Sequence, residues 1–323
     1  MSPKPLLFRR LAVLTLTTAA LLAGGTAPAT AGGTAPATAG GHESDSRGGH
    51  GHGGGHGGGH GGGQGWGRDV DYVAFGDSYA SGYGGGPLLD ACGRTAQGYP
   101  ALLDALNRVD LEADATCAGA TALSTPSDAP VDLPQQINNA SAYGELNART
   151  DVVTLTIGGN DVRFGAVVAA CAGAQLPVTC APAIEQATAY AQTALAPQLA
   201  AAFASIAEAA PRATLVVTGY PHLFEAGAPG PLSAEAQALF NGGTDALNAV
   251  IAAQVPEDGV FVDVVDEFAG HGVGSADSWI IFDTASPYNL HPTETGYREG
   301  YTAAILEDAG SEFGVGCRRG HHR

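Results

Sequence analysis

Apolar, β-branched runs recur along the chain at wide intervals: "DYVAF" (Asp71–Phe75), "DVVTLTI" (Asp151–Ile157), "ATLVVTGY" (Ala213–Tyr220) and "VFVDVV" (Val260–Val265), with a weaker "LEADAT" (Leu111–Thr116). Between them lie Ala-rich stretches with helical spacing, at Pro182–Ala210, Ser233–Gln254 and Thr293–Ala309. Strands that are apolar throughout are buried on both faces, so their alternation with helices predicts a parallel sheet covered on each side. Ligands of such sheets bind beyond the carboxyl ends of the strands, near the point where strand order reverses. Three strand ends are rich in glycine or polar groups: "FGDSYASG" after the first run, "IGGND" (Ile157–Asp161) and "YPHLF" (Tyr220–Phe224).

The first 67 residues follow none of these periods. Lys4, Arg9 and Arg10 precede the apolar "LAVLTLTTAALLA" (Leu11–Ala23), and small residues follow, ending in "ATA" at Ala29–Ala31. That order predicts a secretory signal peptide over 1–31 and an extracellular protein. The octamer "GGTAPATA" is repeated in tandem, which allows cleavage as late as residue 39. A Gly/His-rich tether is expected over 32–67, too poor in apolar groups to build a core. Its histidines, His42, His50, His52, His56 and His60, leave open an alternative role in metal or cell-envelope binding. Folded sequence is then expected over 68–323, about 250 residues and enough for one α/β domain.

A formal charge of −18 argues against nucleic acid as a partner, and anionic lipid head groups would also repel such a surface. A lipid substrate would have to be held by apolar contacts. No segment beyond the signal is long and apolar enough to span a membrane, and a monomer is expected. Export favours disulfides among the five cysteines; pairing sequence neighbours gives Cys92 with Cys117 and Cys171 with Cys180, leaving Cys317 over. Each closed loop would contribute about 3 kcal/mol by chain entropy.

Ser78 in "FGDSYASG" can act as a nucleophile only if a base takes its proton. Five histidines lie beyond the tether. His321 and His322 belong to a basic tail, His271 to a glycine-rich loop, and His222 to a strand end. His291, in "SPYNLHPTETGY", stands at a junction between a loop and a helix whose cap would be Thr293, a place that can fix one ring orientation. Attack on an ester also needs donors for the carbonyl oxygen. Candidates are the Ser78 main-chain N–H, that of Gly119 in "CAGAT", and the side-chain amide of Asn160 in "GGND". The α/β-hydrolase elbow G-x-S-x-G is absent, since Gly76–Ala80 reads G-D-S-Y-A. The folded part also lacks H-E-x-x-H, so no metal or other cofactor is expected.

Taken in order, "FGDSYASG", "CAGAT", "IGGNDVRF" and "HPTETGY" resemble the four signature blocks of the SGNH hydrolases, also called GDSL lipases and esterases, across Val73–Tyr297. The resemblance implies a flavodoxin-like α/β/α sandwich around about five parallel strands. It implies Ser78 as nucleophile, His291 as base, and Ser78, Gly119 and Asn160 as the oxyanion hole of a secreted enzyme that cleaves acyl esters or lipids through an acyl-enzyme. Family members commonly carry an aspartate three residues before the histidine, where this chain has Tyr288. Either the Tyr288 backbone carbonyl orients His291, as in Ser-His dyad members, or Asp283 does; the dyad is preferred. The loops Tyr83–Leu89 and His222–Leu232 are expected to flank the pocket. Acyl-chain length and head group stay open. A non-catalytic envelope-binding domain is disfavoured because all four signature residues are intact.

Overall fold

The computed structural model describes residues 69–123 and 131–315. The segments expected to be signal peptide and tether, with the tether histidines, and Cys317, His321 and His322 lie outside the described residues. Among those described, five strands form one all-parallel sheet: β1 (Val70–Gly76), β2 (Val109–Asp114), β3 (Val152–Thr156), β4 (Thr214–Thr218) and β5 (Val260–Val262), in the order β2-β1-β3-β4-β5. This is the flavodoxin-like α/β arrangement expected from the sequence. The order reverses beside β1, so the carboxyl ends of β1 and β3 flank the switch point where a ligand crevice opens.

Helices cover both faces. The single turn α1 (Ser78–Ser81) and α2 (Tyr99–Asp104) follow β1, and α3 (Leu133–Tyr143) follows β2. After β3 come α4 (Phe164–Cys171), α5 (Cys180–Tyr190) and α6 (Ala196–Ala209). Next, α7 (Ala234–Ala252) follows β4, and α8 (Ala303–Ala309) packs on β4 and β5. The helix expected over Pro182–Ala210 is interrupted by a π-helical turn at Ala191–Leu195. Pro197 sits at the start of α6, where it can neither donate a backbone hydrogen bond nor tolerate the carbonyl four residues earlier, and a widened turn relieves both. The helix expected from Thr293 is likewise π-helical over Gly296–Thr302 before α8 begins.

Every residue of β3 is buried, and polar atoms along the strands are satisfied in place. The Tyr72 hydroxyl meets Thr154 Oγ1 at 2.6 Å, Tyr99 meets Thr156 Oγ1 at 2.9 Å, and Thr156 meets Thr218 at 2.5 Å. These bonds remove the desolvation cost that would otherwise attend threonines in a core. Two disulfides join Cys92 to Cys117 and Cys171 to Cys180, the pairs expected from sequence proximity. No helix among the described residues is long and apolar enough to cross a membrane.

Candidate active site

β1 ends at Gly76, whose φ of +131° and close approach to β3 admit only glycine: a Cβ there would lie 2.3 Å from the Thr156 carbonyl oxygen. The Gln136 side chain, from α3, bonds both the N–H and the carbonyl of Gly76 at 2.8 and 2.9 Å and fixes the strand end. Asp77 then caps α1, its Oδ1 accepting the Tyr79 N–H at 2.9 Å. Ser78 is the first residue of the turn, so its own N–H has no partner within the helix. Its hydroxyl lies 2.8 Å from His291 Nε2.

His291 is delivered by the long segment between β5 and α8. Leu290 has φ +64°, which reverses the chain so that the Asn289 carbonyl meets His291 Nδ1 at 3.0 Å. A left-handed leucine costs roughly 1–2 kcal/mol. Tyr79 holds it there, its hydroxyl donating to the Leu290 carbonyl at 2.5 Å. The Thr293 hydroxyl accepts the Gly296 N–H at 3.2 Å and caps the next helical segment, as its position in the sequence suggested. Tyr79 and Tyr83 flank the imidazole, with ring centroids 5.3 and 5.1 Å away. Desolvation by these neighbours lowers the histidine pKa, while the Asn289 and Tyr288 carbonyls pull it upward.

The orienting group expected from the sequence therefore moves by one residue. Tyr288 offers its carbonyl to the His291 main-chain N–H at 3.1 Å, and Asn289 takes the ring. The reason is the turn at Leu290, which the residue types alone do not announce. Asp283 accepts the Ala285 N–H at 2.9 Å in a local turn and makes no bond to His291. The other described histidines lie elsewhere: His222 pairs with Asp245 at 2.6 Å, and His271 stacks on Trp279 with centroids 3.7 Å apart.

Gly119 lies beyond β2, with φ +86°, next to the Cys92–Cys117 disulfide. Neither its N–H nor that of Ser78 is taken by an acceptor among the described residues. Asn160, beyond β3, donates one amide hydrogen to the Ala120 carbonyl at 2.9 Å and keeps the other free. Asp161 accepts the Ala122 N–H through both oxygens, at 3.1 and 3.0 Å, so the loops after β2 and β3 are tied together. Burial pushes the Asp161 pKa to about 6.

One network was not foreseen. The Gly159 N–H donates to the Tyr220 hydroxyl at 2.9 Å, and that hydroxyl donates to Asp77 Oδ2 at 2.6 Å. A tyrosine at the end of β4 thus joins the turn carrying Ser78 to the loop carrying Asn160. Burial raises the Asp77 pKa to about 7, opposed by its bonds from Tyr220 and Tyr79. The only sequence signal was an aromatic residue closing "ATLVVTGY".

Two narrow apolar compartments, about 40 and 50 Å³, lead away from Tyr79 and Gly159. They share Phe164, Phe240, Thr244 and Leu247 and run between α4, α5 and α7 toward Ile184. Tyr220 and Leu223 line the inner one, so the loop after β4 borders the space; Tyr83 lies against the His291 ring and lines neither compartment.

A family profile described as GDSL-like Lipase/Acylhydrolase matches residues 74–299. The chain belongs to this family. It is therefore an ester hydrolase, and known relatives agree with that assignment. A lipase from Streptomyces rimosus is 36% identical over 73% of this chain and 85% of its own length. Lipase 1 of Streptomyces coelicolor is 30% identical over 72% of this chain and 85% of its own. Among solved structures, an extracellular lipase from S. rimosus matches with a TM-score of 0.63 at 32% identity, covering 74% of this chain and all of that one. A phospholipase A1 from Streptomyces albidoflavus matches with a TM-score of 0.64 at 30% identity, covering 75% and 100%.

Proposed function

We propose that this GDSL-like hydrolase is an exported lipase or esterase that works through a Ser78 acyl-enzyme. The observation that carries the reading is the 2.8 Å contact between Ser78 Oγ and His291 Nε2 beside two unclaimed main-chain donors. In the reaction Ser78 Oγ attacks the ester carbonyl and its proton passes to Nε2. The carbonyl oxygen gains negative charge and is held by the Ser78 and Gly119 N–H groups and by the free amide hydrogen of Asn160. Collapse expels the alcohol, which takes the proton from His291, and leaves the acyl group on Ser78. A water then gives its proton to His291 and attacks, releasing the acid and restoring the serine.

The Asn289 carbonyl fixes the imidazole tautomer with Nδ1 protonated and Nε2 free to accept, so the pair works as a dyad. The acyl chain takes the narrow apolar compartments beyond Tyr79, where burial of each methylene contributes about 0.8 kcal/mol. All of these groups come from one chain, so a monomer suffices. Export rests on the basic, apolar and small-residue order over 1–31, with 32–67 as a tether to the catalytic domain from 68 onward. Hydrolysis of p-nitrophenyl esters by the mature protein and by Ser78→Ala tests the reading. A loss of at least about 10³-fold is expected; unchanged turnover in the variant would remove Ser78 from the mechanism.

A further inference from the structure

Tyr297 closes the block that begins at His291 and takes no part in the proton transfers, yet it is fully buried beside them. Its hydroxyl lies 3.2 Å from the Ser78 carbonyl oxygen and 3.0 Å from that of Tyr83. A phenol carries one proton, so these two carbonyls share a single donor. Burial raises the Tyr297 pKa well above the ordinary 10, which keeps that proton in place at neutral pH. The ring is closely seated: a Cβ on Gly85 would stand 2.9 Å from its Cδ2.

The two carbonyls bracket the nucleophile turn. Ser78 opens α1, and Tyr83 follows its left-handed cap, Gly82. A helix of one turn has little stability of its own, so its position is set by what holds its ends. Gln136 fixes the entry through Gly76. At the exit, the Ser78 carbonyl also receives the N–H groups of Gly82 and Tyr83, the latter at 3.1 Å, and the Ser81 hydroxyl at 3.3 Å. Those donors belong to the turn or directly follow it, whereas Tyr297 arrives from another element. That element is continuous with the base. The Tyr297 N–H bonds the carbonyl of Thr293, just beyond His291, at 3.0 Å, and the Tyr297 carbonyl accepts the Thr302 hydroxyl at 2.8 Å within the π-helical segment. Tyr83 adds a second link, for its ring lies 5.1 Å from the His291 imidazole.

Building on the Ser78 and His291 reading, we propose that Tyr297 is a positioning residue that straps the nucleophile turn to the segment carrying the base and so sets the separation of Ser78 Oγ and His291 Nε2. A dyad needs such a strap more than a triad does. With no carboxylate behind the imidazole, its place depends on the Asn289 carbonyl and on packing, and a misplacement of about 1 Å can cost about 10²-fold in rate. Without the Tyr297 hydroxyl the Ser78 carbonyl keeps its other donors, but the Tyr83 carbonyl has none among the described residues. The Tyr83 stretch then shifts, and its ring no longer confines the imidazole. Acylation and deacylation both pass a proton through His291, so the loss falls on kcat whichever step limits turnover.

The test measures kcat and KM for p-nitrophenyl acetate with wild type, Tyr297→Phe, Ser81→Ala, His291→Ala and the double variant Tyr297→Phe with His291→Ala. Tyr297→Phe is expected to lower kcat roughly tenfold with KM changed less than about twofold. Ser81→Ala takes a donor from the same carbonyl but one that ties the turn only to itself, so it should stay within about twofold of wild type. In the His291→Ala background no base remains to be misaligned, and adding Tyr297→Phe should cost less than about twofold; a general loosening of the fold would still cost about tenfold there. Wild-type turnover in Tyr297→Phe, a loss carried by KM, an equal loss in Ser81→Ala, or the full loss in the double variant would each overturn the proposal. If Tyr297→Phe does not fold, Gly85→Ala replaces it, because the added Cβ displaces the ring and keeps the hydroxyl. The same fall in kcat is expected, and wild-type kcat would again overturn the strap. Ser78→Ala and His291→Ala keep the readings separate: full turnover in either defeats the dyad itself, whereas the strap fails alone when both are inactive and Tyr297→Phe is not impaired.

Discussion

His291 reaches Ser78 with no carboxylate behind it, and this sets the chemistry at the scale of single residues. Burial between Tyr79 and Tyr83 lowers its pKa below the ordinary 6.5, against the opposing pull of the Asn289 and Tyr288 carbonyls. A lowered histidine pKa keeps the ring neutral at pH 7, so it is ready to accept the Ser78 proton. The kcat/KM for an uncharged ester should therefore be near its plateau at neutral pH and fall on acidification with a midpoint below 6.5, which a pH–rate profile reads directly. A midpoint well above 6.5 would require an orienting carboxylate after all. Tyr220 offers a second check. Tyr220→Phe keeps the ring but removes the bonds to Asp77 and from Gly159, freeing the loop that aims Asn160. On the proposed mechanism a loss on the order of tenfold is expected in kcat with KM little changed, since a single oxyanion donor is worth about 10² to 10³ and Asn160 would be displaced and not deleted. Ser78, Gly119, Asn160 and His291 could be singled out as candidates because each proposed chemistry is written in a side chain or a missing one. The Asn289 carbonyl could not, since every residue carries a carbonyl and only the φ of Leu290 selects this one. Nor could the Asp77 to Tyr220 bond, which spans 143 residues.

At the scale of elements, the strands were readable from apolar runs alone because burial on both faces leaves no room for polar alternation. β5 proved shorter than its run, ending at Val262. The helices were readable in place but not in regularity: Pro197 within an Ala-rich stretch was the visible sign of the turn that separates α5 from α6. That region matters for substrate choice, because α4, α5 and α7 wall the apolar compartments. Gly243 on α7 lines the outer one, and a Cβ there would stand 3.1 Å from Ile184 Cγ2 on α5. Gly243→Leu should fill the space. Octanoyl and longer p-nitrophenyl esters are expected to lose roughly tenfold in kcat/KM, about two buried methylenes being worth that much at about 0.8 kcal/mol each, while acetyl and butyryl esters stay close to wild type. A uniform loss across all lengths would place the acyl chain elsewhere.

At the scale of the whole molecule, the strand order β2-β1-β3-β4-β5 explains why blocks more than 200 residues apart in sequence share one site. The switch point beside β1 gathers the ends of β1, β2 and β3, and the last segment lays His291 over them. That convergence was legible as a family pattern and as a rule of parallel sheets; the packing of α4, α5 and α7 beside it was not, for it depends on how Ala-rich faces with little distinguishing shape settle together. Net charge acts at this scale too. A chain of formal charge −18 approaching an anionic bilayer is repelled as a whole. The reach of that repulsion depends on salt. A Debye length of about 30 Å at 0.01 M salt lets the entire surface be felt, whereas about 8 Å at 0.15 M confines electrostatics to near contacts. Turnover of vesicles containing phosphatidylglycerol should therefore rise severalfold over that span of salt, while phosphatidylcholine vesicles, neutral overall, change little. If the anionic vesicles are instead turned over faster at low salt, a basic face on this acidic chain must govern its approach, and net charge would be the wrong guide to how it meets a lipid surface.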